Sequence, residues 1–387
     1  MGFFFIACSK KDQSEDQCGS LVNSTLAGQK NIGEHYKLQV DKMRFKIGTL
    51  DQLMELNESL NKVDAMLDGT VKKIEKQAKE LLSQDLMIEV SHGQKMQVED
   101  YIKNFKWEDN KYPRARSLVE LSGMIAERMR TIDGDLKKVQ DELNDVKNQY
   151  GAVSKGKDSA SFTQKDLGEI IYNSKIDPDR FFVEKHGSEN LTTLVYIQHK
   201  TKLLPFQENY EKILEHAAVP RSLKFLELED KEGYQLHRVV VLSSKVENYI
   251  TEARKHGFTL KKFAYDLEKY REEQMLKTKL ENKIDTLKSS LSSRSYYAFS
   301  ELFIALMHLK VMRTFIDGVL RFGIPPNFFL AVVRPNRGLE KRVQAALNDT
   351  FADASMKEMY GSKEETNDTE DFFSYVCISL TSPLFLQ

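Results

Sequence analysis

The chain has 387 residues, with 57 Lys and Arg against 58 Asp and Glu, 41% hydrophobic residues, and only 19 Gly and 8 Pro. That length leaves room for more than one core, since a domain takes ~100–200 residues. The charges cancel to −1, which excludes nucleic acid as a default partner, because phosphate binding needs an excess of Lys and Arg. The 22 Phe and 15 Tyr exclude wholesale disorder.

The N-terminal run Met1-Gly2-Phe3-Phe4-Phe5-Ile6-Ala7-Cys8 is too short for a secretory signal, and its lysines, Lys10 and Lys11, follow the apolar stretch instead of preceding it. Ile6 stands where myristoylation wants Ser or Thr. The run reads as a short buried strand over residues 3–7. Lys72-Lys73, and later Lys261-Lys262, are interrupted by acids within a turn or two and read as solvated helix faces. Ile125, Ile132, Leu136, Val139, Leu143, Val146 and Tyr150 recur at heptad spacing. They predict a helix over residues 114–150 with one narrow apolar seam, ~55 Å long at 1.5 Å per residue.

Gly151-Ala152-Val153-Ser154-Lys155-Gly156-Lys157-Asp158 matches a phosphate-binding loop except at its last position, where a magnesium-ligating Ser or Thr is replaced by Asp. It also follows a helix instead of a strand, so it reads as a flexible hinge. Strand and helix signals then alternate: strand 191–197, helix 203–217, strand 234–242 and helix 246–256, closed by Gly257 at a position that favours left-handed backbone. Asp177-Pro178-Asp179 reads as a turn.

A second seam runs over residues 259–293 through Leu260, Phe263, Leu267, Tyr270, Leu276, Leu280, Leu287 and Leu291, slipping where Gln274 takes an expected apolar position. Two such helices bracketing ~100 residues predict an antiparallel pair; the other reading has each packing on a separate globular surface. Residues 296–322 would be long enough to span a bilayer, yet they carry Glu301, His308, Lys310, Arg313, Asp317 and Arg321. They read as a core helix in which His308 is a hydrogen-bonded core histidine, ended by Gly323 and Pro325-Pro326. Strands at 328–333 and 375–380 follow, around a polar loop at 353–370.

The expected fold is α+β and helix-rich: an elongated molecule with a globular head and a globular foot joined by a long antiparallel, coiled-coil-like neck. Residues 1–113 and 295–387 form the foot, 114–158 and 259–294 the neck, and 159–258 the head. No chemistry-bearing constellation emerges. The eight His and three Cys show neither HExxH nor CxxC spacing, and GxSxG is absent, so no catalytic, cofactor-binding or metal site is expected. The five sequons beginning at Asn23, Asn57, Asn190, Asn348 and Asn367 carry no expectation without a secretion signal.

Several strings together carry a resemblance. Lys46-Ile47-Gly48-Thr49-Leu50-Asp51, Leu60-Asn61-Lys62-Val63-Asp64, Tyr101-Ile102-Lys103-Asn104-Phe105-Lys106-Trp107 and Lys111-Tyr112-Pro113 come first. Leu191-Thr192-Thr193-Leu194, Val219-Pro220-Arg221-Ser222 and Glu252-Ala253-Arg254-Lys255 follow. The strongest is His308-Leu309-Lys310-Val311-Met312-Arg313 with Val319-Leu320-Arg321-Phe322-Gly323-Ile324-Pro325-Pro326. In this order the chain resembles the C-subunit family of the vacuolar-type proton-pumping ATPases from about residue 3 to residue 380, departing from it at 9–34 and 353–370.

The resemblance implies a non-catalytic stator subunit without a cofactor. Head and foot would bridge peripheral stalks made of subunits E and G, and the foot would also meet the cytoplasmic domain of membrane subunit a. The chain would thereby resist rotor torque, support ATP-driven proton transport and take part in reversible assembly of the two sectors. The implied location is cytoplasmic, peripheral on acidic organelle membranes (vacuole, lysosome, endosome), with no direct membrane insertion and no nucleic acid. The family is also associated with actin, and the alternative is a general helical tether or cytoskeletal linker.

Overall fold

The computed structural model describes residues 2–28, 31–81, 86–90, 93–154, 162, 167–174, 176–183, 187, 189–263, 265–352 and 373–382. In chain order the first elements are β1 (Gly2–Ser9), α1 (Glu15–Gly28), β2 (Gly33–Lys37), α2 (Leu50–Leu81), β3 (Met87–Glu89), β4 (Lys95–Gln97), α3 (Val98–Lys103) and α4 (Leu118–Val153). Then come α5 (Leu167–Tyr172), α6 (Pro178–Phe181), β5 (Leu191–His199), α7 (Leu204–Asn209), β6 (Lys224–Glu229), β7 (Tyr234–Leu242), α8 (Val246–Lys255) and β8 (Leu260–Lys262). The chain closes with α9 (Leu267–Phe322), β9 (Phe328–Pro335), α10 (Glu340–Phe351) and β10 (Val376–Thr381). This is the expected helix-rich α+β class. The chain divides into two compact units, Met1–Asp141 with Leu287–Gln387, and Glu142–Thr286.

In the first unit a four-stranded antiparallel sheet has the order β10-β1-β9-β2. β1 is central and buried on both faces, which is why its sequence is a continuous apolar run instead of an alternating one. Phe4, Ile6 and Cys8 pack with Cys18, Val22 and Leu26 of α1 and Val343, Ala346 and Leu347 of α10. Near the sheet's β9, α9 approaches closely: a Cβ at Gly318 would lie 2.9 Å from two ring carbons of Phe328. The Gly318→Ala variant is therefore expected to lose stability. Overpacking costs about 1–3 kcal/mol against a helix-propensity gain of about 1 kcal/mol, so the urea midpoint should fall; a rise would show that this contact is loose.

The second unit holds a sheet of order β6-β7-β5-β8. One face packs on α7 and α8 through Leu194, Tyr196, Phe206 and Tyr249, and the other, through Val195 and Ile197, on Ile170 and Ile171 of α5 and on Phe182 just after α6. The predicted strands at 191–197 and 234–242 and the helix at 246–256 are present, and Gly257 has φ +80°.

Other elements differ from expectation, each for a physical reason. The helix predicted over 203–217 stops at Asn209, because the Tyr210 carbonyl accepts from Tyr249 OH at 2.6 Å and the chain then turns, with His216 at φ 54°. Leu260 and Phe263, assigned to the second seam, instead belong to the sheet core. Lys261-Lys262 likewise lies in β8 rather than on a helix face. The helices predicted at 259–293 and 296–322 are one helix of 56 residues; the serine-rich stretch between them contains neither Gly nor Pro, and Leu291, Ala298 and Phe299 stay buried. Leu276 faces solvent, and Ile284 takes the buried seam position. α2, β6 and the short elements around them complete the fold. The loop predicted at 353–370 lies outside the described residues.

Candidate interaction surfaces and the polar seam behind them

α2 repeats Leu53, Leu56, Leu60, Asp64, Leu67, Val71, Ile74 and Ala78 on its buried face. Asp64 is the one carboxylate within this heptad stripe, and Glu75, next to Ile74, is a second buried carboxylate beside it. Opposite Asp64, α9 presents two cations: Lys310 Nζ donates to Asp64 Oδ2 at 2.8 Å, and Arg313 donates to the same oxygen and to Asn61 Oδ1. The side chains of Asp64 and Lys310 are only 7% and 6% exposed, so each charge depends on the other for its solvation. One turn further along, Asp317 has its pKa raised by burial, against the opposing effects of Arg313, an Asn57 hydrogen bond and Arg321.

His308 lies in the same helix and is buried among Phe105, Trp107 and Tyr112, with ring centroids 4.5–5.0 Å away. Its Nδ1 donates to the Ile304 carbonyl at 2.8 Å, and its Nε2 accepts from the Glu108 amide at 3.0 Å. Only the neutral ring can make both bonds. Burial pushes the imidazole pKa down to about 3. It is the core histidine expected from the sequence.

Contacts along α4 and α9 occur in both units. In the first, Arg128 makes bonds of 2.6 and 3.0 Å to Glu301. In the second, Lys283 pairs with Glu142 at 2.9 Å and Tyr150 OH donates to Glu281 at 2.8 Å. In the second unit Leu143 and Val146 of α4 and Leu280 and Ile284 of α9 are buried beside these polar contacts, and there the later position of α4, Tyr150, meets the earlier position of α9, Glu281.

The remaining sequence signals resolve as structure. Gly151, Ala152 and Val153 form the last turn of α4, whereas residues 155–158 of the phosphate-loop-like segment lie outside the described residues. Asp177 caps the turn into α6 by accepting from the Asp179 amide. Among the described residues no group of three or more His, Cys, Asp or Glu could hold a metal, and no helix is long and apolar enough to cross a membrane.

The described surface also carries exposed apolar side chains and an exposed arginine in left-handed backbone. In the first unit, Leu50 and Met54 at the start of α2, together with Met43 and Ile324, are all more than half exposed. A contiguous group of such side chains, Met among them, marks a protein-binding face, whereas single ones are ordinary on a protein surface. In the second unit Arg221 is exposed at φ 53°, its amide held by Glu211 Oε1 at 2.8 Å. This is a non-glycine residue kept in left-handed backbone by its surroundings.

The family model for the C subunit of the V-ATPase matches residues 3–377. The chain belongs to that family. The C 1-B subunit of the V-type proton ATPase of Danio rerio is 29% identical over 350 residues, covering 90% of this chain and 88% of the relative. The C 1 subunit of the Xenopus laevis enzyme is 30% identical over 355 residues, with the same coverage. A solved cytoplasmic N-terminal domain of the I subunit, a homologue of the V-ATPase a subunit, shares 12% identity with a TM-score of 0.30, a level from which no common fold follows.

Membership in the C-subunit family makes the chain an accessory component of the proton-transporting ATPase and not its catalytic part. Many of the residues that carried the resemblance prove structural. Asp64 meets Lys310 and Arg313, and Phe105, Trp107, Tyr112 and His308 form one aromatic cluster. Sequence reasoning missed the Asp64 pairing. The signal that could have found it is a single carboxylate in an otherwise apolar heptad stripe.

Proposed function

We propose that the chain is a non-catalytic stator subunit that bridges peripheral stalks formed by subunits E and G, and that it also meets the cytoplasmic domain of membrane subunit a. The observation that carries this reading is the family match across residues 3–377. The two compact units, each with its own core, support it by offering two separate places to bind. In this reading residues 1–113 and 295–387 act as foot, 159–258 as head, and 114–158 with 259–294 as neck. Modest contacts at two sites give high avidity that vanishes once one site lets go, which suits a component that must resist torque yet allow reversible assembly on the cytosolic face of an acidic organelle. No residue is assigned a catalytic, cofactor or metal role.

The purified chain is expected to hydrolyse no ATP and to co-purify with subunits E and G, and its depletion is expected to raise lumenal pH. Unchanged lumenal pH would favour a general tether. An intrinsic ATPase activity that survives purification and disappears in Lys157→Ala would overturn the reading.

A further inference from the structure

The two four-stranded sheets have four edge strands, and three of them carry devices that turn an incoming strand away. β2 bears Glu34 and Lys37. β6 bears Lys224, Glu227 and Glu229, with a register shift between Phe225 and Glu229 and Glu227 at φ 62°. β8 is three residues long and ends in Lys261-Lys262. The fourth edge, β10, reads Val376-Cys377-Ile378-Ser379-Leu380-Thr381. It has no charge and no proline, and it keeps unbroken register with β1 over six pairs. Among the described residues no backbone hydrogen bond reaches its outer side.

A second, independent feature lies beside this edge. Lys72 Nζ donates to Thr381 Oγ1 at 3.0 Å, and Ser382 Oγ donates to Glu75 Oε2 at 2.7 Å, so the end of β10 abuts one stretch of α2. That stretch supplies Lys72, Lys73, Glu75, Lys76, Lys79 and Glu80 around a hollow of about 580 Å³. Lysine stems give such a hollow apolar walls while the ammonium tips stay wet. Glu75 is fully buried and already engaged by Lys79 and Ser382. Lys73 and Lys76 are exposed, and the pairing of Lys73 with Asp133 is of the half-exposed kind that exchanges at little cost.

We propose that the outer edge of β10 accepts an extended segment of a partner protein as a fifth strand, one whose alternating side chains are apolar and acidic. The backbone edge supplies hydrogen bonds, the hollow takes apolar side chains, and Lys73 and Lys76 meet the carboxylates. A second copy of β10 fits poorly because it carries no carboxylate, and the same holds for the side chains of Pro383-Leu384-Phe385-Leu386-Gln387. This inference rests on the sheet edge and its lysines, and stands apart from the stator reading.

The test uses the full chain with an eight-residue peptide of alternating Val and Glu, and a Val and Lys peptide as control. Hydrogen–deuterium exchange and fluorescence anisotropy are the readouts. The acidic peptide should slow exchange at residues 376–381, whereas the basic one should not bind. Lys73→Glu combined with Lys76→Glu should weaken acidic-peptide binding at least about tenfold, which is ~1.4 kcal/mol shared by two exposed charges. An unchanged urea midpoint would show that the variant folds, and binding of the basic peptide by the variant would add support. The proposal is overturned if the peptide protects nothing at 376–381 or if charge reversal leaves its affinity unchanged. It is also overturned if those amides are already protected in the free chain, whether by its own residues or, as sedimentation would show, by a second copy.

Discussion

Replacing Asp64 with alanine is expected to destabilise the first unit by roughly 3–5 kcal/mol, the usual cost of stranding one member of a buried ion pair. The Lys310 ammonium, 6% exposed, would lose its carboxylate partner and remain in a helix surrounded by Leu309, Val311 and Met312, all fully buried. Arg313, at 18% exposure, can turn toward water more readily than Lys310 can. For that reason the double change Asp64→Leu with Lys310→Met should recover most of the loss, since a buried pair is often replaceable by apolar residues of similar volume. Trp107 is the only tryptophan and belongs to the same unit, so its fluorescence in a urea titration reads the effect. A loss below about 1 kcal/mol would place this pair among exposed salt bridges and would remove the buried seam from the account.

The second large effect concerns pH. Native His308 has its pKa lowered to about 3, against an ordinary 6.5, so between those values the unfolded chain binds a proton that the native chain refuses. Stability is therefore fully present above pH 6.5 and is lost as pH falls toward 3. At 1.36 kcal/mol per pH unit the whole interval is worth roughly 4–5 kcal/mol. Carboxylates titrate in the same range, so the informative quantity is a difference between variants. Glutamine at position 308 can donate to Ile304 and accept from Glu108 without titrating. His308→Gln should flatten the slope of stability against pH between 6 and 4 by about one proton, again read at Trp107. An unchanged slope would mean that the imidazole titrates normally in the folded chain.

Much of the architecture is legible in the sequence wherever one pattern acts alone. β1 shows as an uninterrupted apolar run, β7 as a β-branched stretch, α8 by its closing Gly257, and the seam of α4 by its heptads. Legibility fails where two effects compete. α2 carries a heptad stripe as regular as that of α4, but Asp64 occupies its fourth position, and the residue that hides the helix from a hydrophobic pattern is the one that ties it to α9. The serine-rich stretch before Tyr296 mimics a break that burial of Leu291 and Ala298 overrides. Leu260 and Phe263 keep helical spacing from Leu267, yet Leu260 pairs with Tyr196 in the sheet and Phe263 packs in its core. Of the candidate surface residues, Leu50, Arg221 and Ile324 lie within strings that carry the family resemblance, whereas Met43 and Met54 do not; the left-handed backbone of Arg221, whose amide donates to Glu211, leaves no mark on local composition.

The most direct test of the stator reading is a density map of the intact ATP-driven proton pump containing this chain. In that map residues 142–286 and the unit formed by 1–141 with 287–387 should contact different peripheral stalks, and neither should touch a nucleotide site. A map in which both units sit on one stalk, or in which the chain rides on the rotor, would contradict it.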